Sequence, residues 1–281
     1  TLAAAGSSDS GPLRISDGSP FAVEPDTRLL WHLDEVQNGS ARLLDEGPFP
    51  IHGADHTTSQ AVAGRFGLGR QPTQTVADTD NNQLVFPSTS FTMEFWMKTA
   101  PVSDKFILAG KGNNHSNTAD QEYIVYVDAA GNLTAELRNG SLIARSVTVP
   151  AVRYDIDDNQ WHYVAMVVDR AAGLLHLYVD GTVHEQSAVE PAFVIRNGGH
   201  RFRTGVGVSG AVFPGAIDEV RVSASAHAAD VIEQTYLGTT GTRGVQITRV
   251  EPALADRGGP SESSIDGFDL AEATPSFTGP A

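Results

Sequence analysis

The chain of 281 residues has no cysteine, three methionines, three tryptophans and an aromatic share of only 7%. Lack of cysteine excludes disulfides, thiolate nucleophiles and cysteine-type zinc sites. No apolar run approaches the ~18 residues that a membrane-spanning helix needs. No basic segment followed by an apolar core opens the chain at Thr1, so no signal peptide is expected in it. Basic residues are also scarce: 19 Lys and Arg face 34 Asp and Glu, a net charge of −15. They form no block, and phosphate binding needs concentrated Lys and Arg, so nucleic acid is excluded as a partner. His-Glu-x-x-His, Gly-x-Ser-x-Gly and Glu-x-Asp-x-(x)-Glu are all absent, which argues against a zinc hydrolase, a serine hydrolase or a two-carboxylate glucanase. Asp155-Ile156-Asp157-Asp158 comes nearest to paired carboxylates and reads as a solvated loop. Catalysis is disfavoured.

What is present is alternation. Ser90 to Lys98 places Phe91, Met93, Phe95 and Met97 on one face and Thr92, Glu94, Trp96 and Lys98 on the other, the period of a strand. Further strands are predicted at Lys105–Gly110, Tyr123–Val127, Leu133–Arg138, Leu142–Val149, Trp161–Asp169, Leu174–Val179 and Arg201–Val208. Turns rich in Asp, Asn and Gly separate them, as at Asp128–Asn132 and Arg138–Ser141. A last strand follows Pro214-Gly215. Strict alternation there puts Ile217, Glu219 and Arg221 on one face and Asp218, Val220 and Val222 on the other. One helix is predicted from about His227 to Leu237, capped by Ser225 and stopped by Gly238. Many short strands and one terminal helix predict an all-β fold, a two-sheet antiparallel sandwich.

Three regions are expected. Residues 1–27 are a Ser/Gly/Ala-rich extension, either loose or laid as one strand along the body. Residues 28–238 form the sandwich, and 239–281 a linker or partial domain. Val245–Pro252 followed by Gly267-Phe268-Asp269-Leu270 resembles the opening of an IPT/TIG-type immunoglobulin-like module, of which about half is present.

Six segments in order carry a wider resemblance: Leu30–Glu35, Asp45–Gly53, Phe91–Met97, Trp161–Ala165, Leu177–Gly181 and Gly215–Val222. Together they are similar to the laminin-G-like, concanavalin-A-like jelly-roll domains. The resemblance implies a jelly roll whose first and last strands meet, with a structural calcium often held close by. Calcium takes six to eight hard oxygens. Asp34 and Asp218, with Asp45 and backbone carbonyls as far as Gly53, are the expected donors; a plain hydrogen-bonding role for Asp218 is the alternative.

The face opposite the core row carries Trp96 and Glu94, with His176 and Tyr178 alternating onto a neighbouring strand. An aromatic face flanked by carboxylates suits a sugar ring; a packed second layer under a loop is the other reading for Trp96. Asn113 and Asn114, in an amide-rich loop, are further candidate contacts. The expected function is a secreted, non-catalytic binding or adhesion module for glycans or cell-surface partners. The alternative is a structural subunit of an extracellular assembly, self-associating through its terminal extensions by strand addition.

Overall fold

The computed structural model describes residues 18–39, 41–55, 58–72, 75–77, 82–112, 121–141, 143–207 and 211–240. Asn113, Asn114 and the stretch resembling an immunoglobulin-like opening lie outside them. The described residues belong to one compact unit.

In chain order the strands are β1 (Thr27–Trp31), β2 (Arg42–Leu43), β3 (Gly53–Asp55), β4 (Gln60–Ala63), β5 (Leu68–Gln71) and β6 (Thr75–Ala77). Then come β7 (Phe91–Thr99), β8 (Phe106–Gly112), β9 (Gln121–Val127), β10 (Leu133–Arg138) and β11 (Ala144–Val149). The set ends with β12 (Trp161–Asp169), β13 (Leu174–Val179), β14 (Thr182–Ala188), β15 (Phe202–Gly207) and β16 (Gly215–Ser223), followed by helix α1 (Ala229–Thr240).

They form two antiparallel sheets. The front sheet runs β14-β13-β12-β7-β16-β5-β4, with β1 also paired to β16. The back sheet runs β11-β10-β9-β8-β15-β6-β3-β2. First and last strands are neighbours, with Trp31 opposite Val220. This is the two-sheet sandwich that alternation predicted, with the jelly-roll arrangement that the family resemblance implied. Strand β14 was not anticipated: it is a polar edge strand with no fully buried residue, so its sequence shows no core phase.

The core lies between the sheets. Phe91, Met93, Phe95 and Met97 of β7 face Leu108, Tyr123, Val125, Leu133 and Ala135 of the back sheet. Phe86 stacks on Phe91 at 4.6 Å between ring centroids. Each such side chain contributes about 1.5–3 kcal/mol of transfer free energy when buried.

The alternation expected for β16 is broken. Asp218 pairs with Trp96 and Arg221 with Glu94, so two residues, Glu219 and Val220, oppose Phe95 alone. Glu219 is the bulged residue, at φ +52°. Ile217, Val220 and Val222 therefore all face the core. Asp218 and Arg221, expected on opposite faces, come to the same outer side. The helix also differs from expectation. Ser225 does not cap it, because its hydroxyl goes to Asp26. Gly238 does not stop it, because Thr239 and Thr240 return hydroxyl bonds to carbonyls of the preceding turn.

Candidate functional site

Trp96, Glu94, His176 and Tyr178 do share the outer face of the front sheet, as the registers Trp96–Tyr163, Glu94–Ala165, Tyr178–Ala165 and His176–Val167 require. That face is not open. Tyr236 of α1 lies over Trp96 at 6.1 Å, Phe21 stands edge-on to Tyr163 at 6.1 Å, and the Arg65 guanidinium covers the Trp96 ring at 4.8 Å. Trp96 keeps only 1% of its surface and Tyr178 4%. Glu94 is wholly buried: its Oε1 accepts Arg221 Nε and Nη2, both at 2.7 Å, and its Oε2 accepts the Tyr163 hydroxyl. The surface expected to be free for a ligand is thus a second packed layer in this structure. The physical reason is that helix and N-terminal segment bury its aromatic rings.

The four residues expected at a calcium ion are not brought to one point. Asp45 takes three backbone amides, from Leu30 (2.8 Å), Gly47 (2.9 Å) and Ile51 (2.9 Å). Gly53 makes room for an indole, since a Cβ there would lie 2.9 Å from Trp31 Cζ2. Asp34 accepts Leu68 N–H at 2.6 Å and Asp218 accepts Phe66 N–H at 2.9 Å, so both carboxylates are tied to the turn at residues 64–68. Among the described residues no three histidines or carboxylates converge in a ligating group. Asp34 and Asp218 thus meet at one turn, while Asp45 and Gly53 are engaged elsewhere. Burial, helped by the charges of Glu219 and Asp34, pushes the Asp218 carboxyl up to about 8, against the amide bond from Phe66 that lowers it.

The outer face of the back sheet is different. Registers place two rows across it: Arg203, Gly110, Ile124, Glu136 and Ser146 in one; Val206, Ile107, Tyr126, Thr134 and Thr148 in the other. Tyr126, Arg203 and Lys105 are half-buried, and Ser146 and Thr148 are exposed. The Lys105 ammonium sits 3.4 Å above the Tyr126 ring. Thr134 and Thr148 share a hydroxyl bond of 2.8 Å, and Arg138 donates to Glu136 at 2.7 Å. Beside Gly110 lies a small hollow of about 10 Å³, room for about one water, lined by Ile107, Gln121, Ile124, Arg203 and Val206. Desolvation pushes the Lys105 ammonium below its ordinary value and the Tyr126 hydroxyl above it.

Residues 71–233, more than half of the chain, match a laminin-G family described as the concanavalin A-like lectin/glucanases superfamily. The chain belongs to that superfamily. No curated protein matches it. Among solved structures, the binding domain of Paraclostridial Mosquitocidal Protein 1 superposes with a TM-score of 0.60 at 14% identity, over 75% of this chain and 52% of that one. The Botulinum neurotoxin serotype G binding domain gives 0.58 at 12%, over 74% and 50%. The serotype D ligand-binding domain in complex with N-acetylneuraminic acid gives 0.53 at 12%, over 76% and 51%. The chain spans about half the length of these structures, and at such identities the likeness is one of fold.

In this concanavalin A-like sandwich the two broad faces are unequal, one sealed and one half-open. Sequence reasoning passed over the half-open face. Its signal was present in Gln121–Val127: Tyr123, Val125 and Val127 fill the core phase, which leaves Tyr126 and Ile124 pointing out.

Proposed function

We propose that the protein is a non-catalytic carbohydrate-binding module that works outside the cell, and that it binds saccharide on the outer face of the back sheet. The observation that supports this most is Tyr126. It is an aromatic ring half-open to solvent, bordered by a carboxylate (Glu136), an ammonium (Lys105) and hydroxyls (Thr134, Thr148). A sugar needs an apolar ring to lie against and donors and acceptors around it for its hydroxyls. Lys105 is the movable part, since a four-carbon stem swings away from the ring at little cost. Membership of a lectin/glucanase superfamily and the N-acetylneuraminic acid complex of one structural neighbour point the same way. No helix among the described residues is long and apolar enough to cross a membrane.

A glycan array probed with the wild-type chain and with Tyr126→Ala tests the reading. Saccharide signal that Tyr126→Ala abolishes, with the melting temperature little changed, is the expected result. An array on which the wild-type chain binds no saccharide overturns it.

A further inference from the structure

We propose that the segment at residues 18–26 holds the place of a sugar on the front sheet, and that a second saccharide site opens when the segment lifts. The inference rests on the carbohydrate-binding reading above. Between residues 18 and 26 the chain forms no strand, although it crosses a β-sheet. What holds it is a set of contacts resembling those of a bound ligand. Phe21 lays the edge of its ring to Tyr163, beneath the Arg221 guanidinium at 4.8 Å. The Phe21 N–H donates to Glu219 Oε2 at 2.7 Å, and the Ala22 carbonyl accepts from Arg221 Nη1 at 2.9 Å. One ring, one donor and one acceptor are thus offered to an aromatic, a carboxylate and a guanidinium. A pyranose offers the same complement through its apolar face and its hydroxyls.

The groups beneath are fixed without the segment. Glu94 grips Arg221 and receives the Tyr163 hydroxyl. Glu219 is aimed by the bulge, at a backbone φ that side chains rarely adopt, and His32 Nδ1 steadies its other oxygen at 2.7 Å. A strained, buried carboxylate with an immobile partner is a costly arrangement for closing a sheet face and a suitable one for recognition. On the same sheet face the buried Nε1–H of Trp96 makes no hydrogen bond, a donor still unused. The segment's remaining anchors lie at its ends: Ser19 N–H to the Gly238 carbonyl, the Asp26 side chain to the Ser225 hydroxyl and to His227 Nε2, and Ala224 N–H to the Asp26 carbonyl at 2.8 Å. Loosening these leaves the sheet residues untouched.

The experiment compares the full chain, Asp26→Asn, and Asp26→Asn with Phe21→Ala on the same glycan array, each also in a Tyr126→Ala background. Amide hydrogen exchange of residues 18–26 verifies release; Asp26→Asn, the milder change, serves if the double variant fails to fold. The expected result is a gain of about tenfold or more in saccharide affinity on release, since the closed segment masks the competent state. The gain persists with Tyr126→Ala and is competed away by the peptide Gly-Ser-Pro-Phe-Ala-Val-Glu-Pro-Asp. Release without gain overturns the inference, as does a gain for peptides but for no saccharide. Wild-type binding that Tyr126→Ala abolishes, with no gain on release, sinks the second site and leaves the first reading standing. If no form binds any saccharide, both fall.

Discussion

Arg221 and Glu94 lie 127 residues apart in sequence, yet Nε and Nη2 of the one both meet Oε1 of the other at 2.7 Å, with neither side chain more than 4% exposed. The pair stitches β16 to β7 on the outer face, and Tyr163 closes it from β12. Removing one partner of a buried pair leaves a charge without compensation, at a cost of about 3–5 kcal/mol. Glu94→Ala is therefore expected to lower unfolding free energy by that order in urea titrations. Replacing both, as Glu94→Leu with Arg221→Met, is expected to cost far less. Equal losses for the single and double variants would mean that packing, and not the stranded guanidinium, sets the penalty.

Asp218 gives the chain a pH dependence of definite sign. Its folded value of about 8 stands above the ~3.9 of an unfolded aspartate. The folded state thus holds a proton that the unfolded state releases, so stability falls as pH rises between about 4 and 8. Glu219, also raised by burial, adds in the same direction. His32 does too: raised chiefly by its bond to Glu219, it contributes stability that is lost as pH climbs through its folded value. Denaturant titrations at pH 5 and pH 8 should show the lower stability at pH 8, and Asp218→Asn should flatten the difference. A profile that rises across this window would contradict the buried, protonated carboxyl.

Most of the sandwich was legible because core-facing strands carry their period in plain view. Phe91–Met97 needs no partner to reveal its inner face, and the turn at Asp128–Asn132 closes with the bonds that its residues suggest. The outer faces were harder to read. Trp96 alternates onto the outside as expected, but whether outside means solvent depends on Phe21, Tyr236 and Arg65, which sequence distance hides. Glu219 shows a second limit. A one-residue bulge reverses the phase of a strand, and neither Asp218 nor Glu219 signals that the backbone turns left-handed between them. Asp34, Asp45 and Gly53 were grouped by the family resemblance, while the fold spends them on separate turns and on one indole.

Gly53 can be tested directly. Its absent side chain admits the Trp31 ring, whose Nε1 donates to the Ile51 carbonyl at 2.9 Å. A methyl there would approach Cζ2 and Cη2 at 2.9 and 3.1 Å, an overpacking that costs about 1–3 kcal/mol. Gly53→Ala is expected to lose stability by that amount and to alter tryptophan fluorescence as the indole shifts. A variant as stable as the wild type would show that the ring moves freely, which its wholly buried position argues against.

Calcium offers the sharpest contrast between sequence grouping and fold. An ion bound at a hundred times its dissociation constant would add about 2.7 kcal/mol to the folded state. Asp45 is occupied by three amides, Asp34 and Asp218 each hold an amide of the stretch at 66–68, and no three carboxylates or histidines converge among the described residues. The melting temperature is expected to stay the same in EDTA and in millimolar calcium, and Asp34→Asn is expected to lower it equally in both. A rise of several degrees with calcium that Asp34→Asn cancels would mean that oxygens outside the described residues complete a shell around this carboxylate.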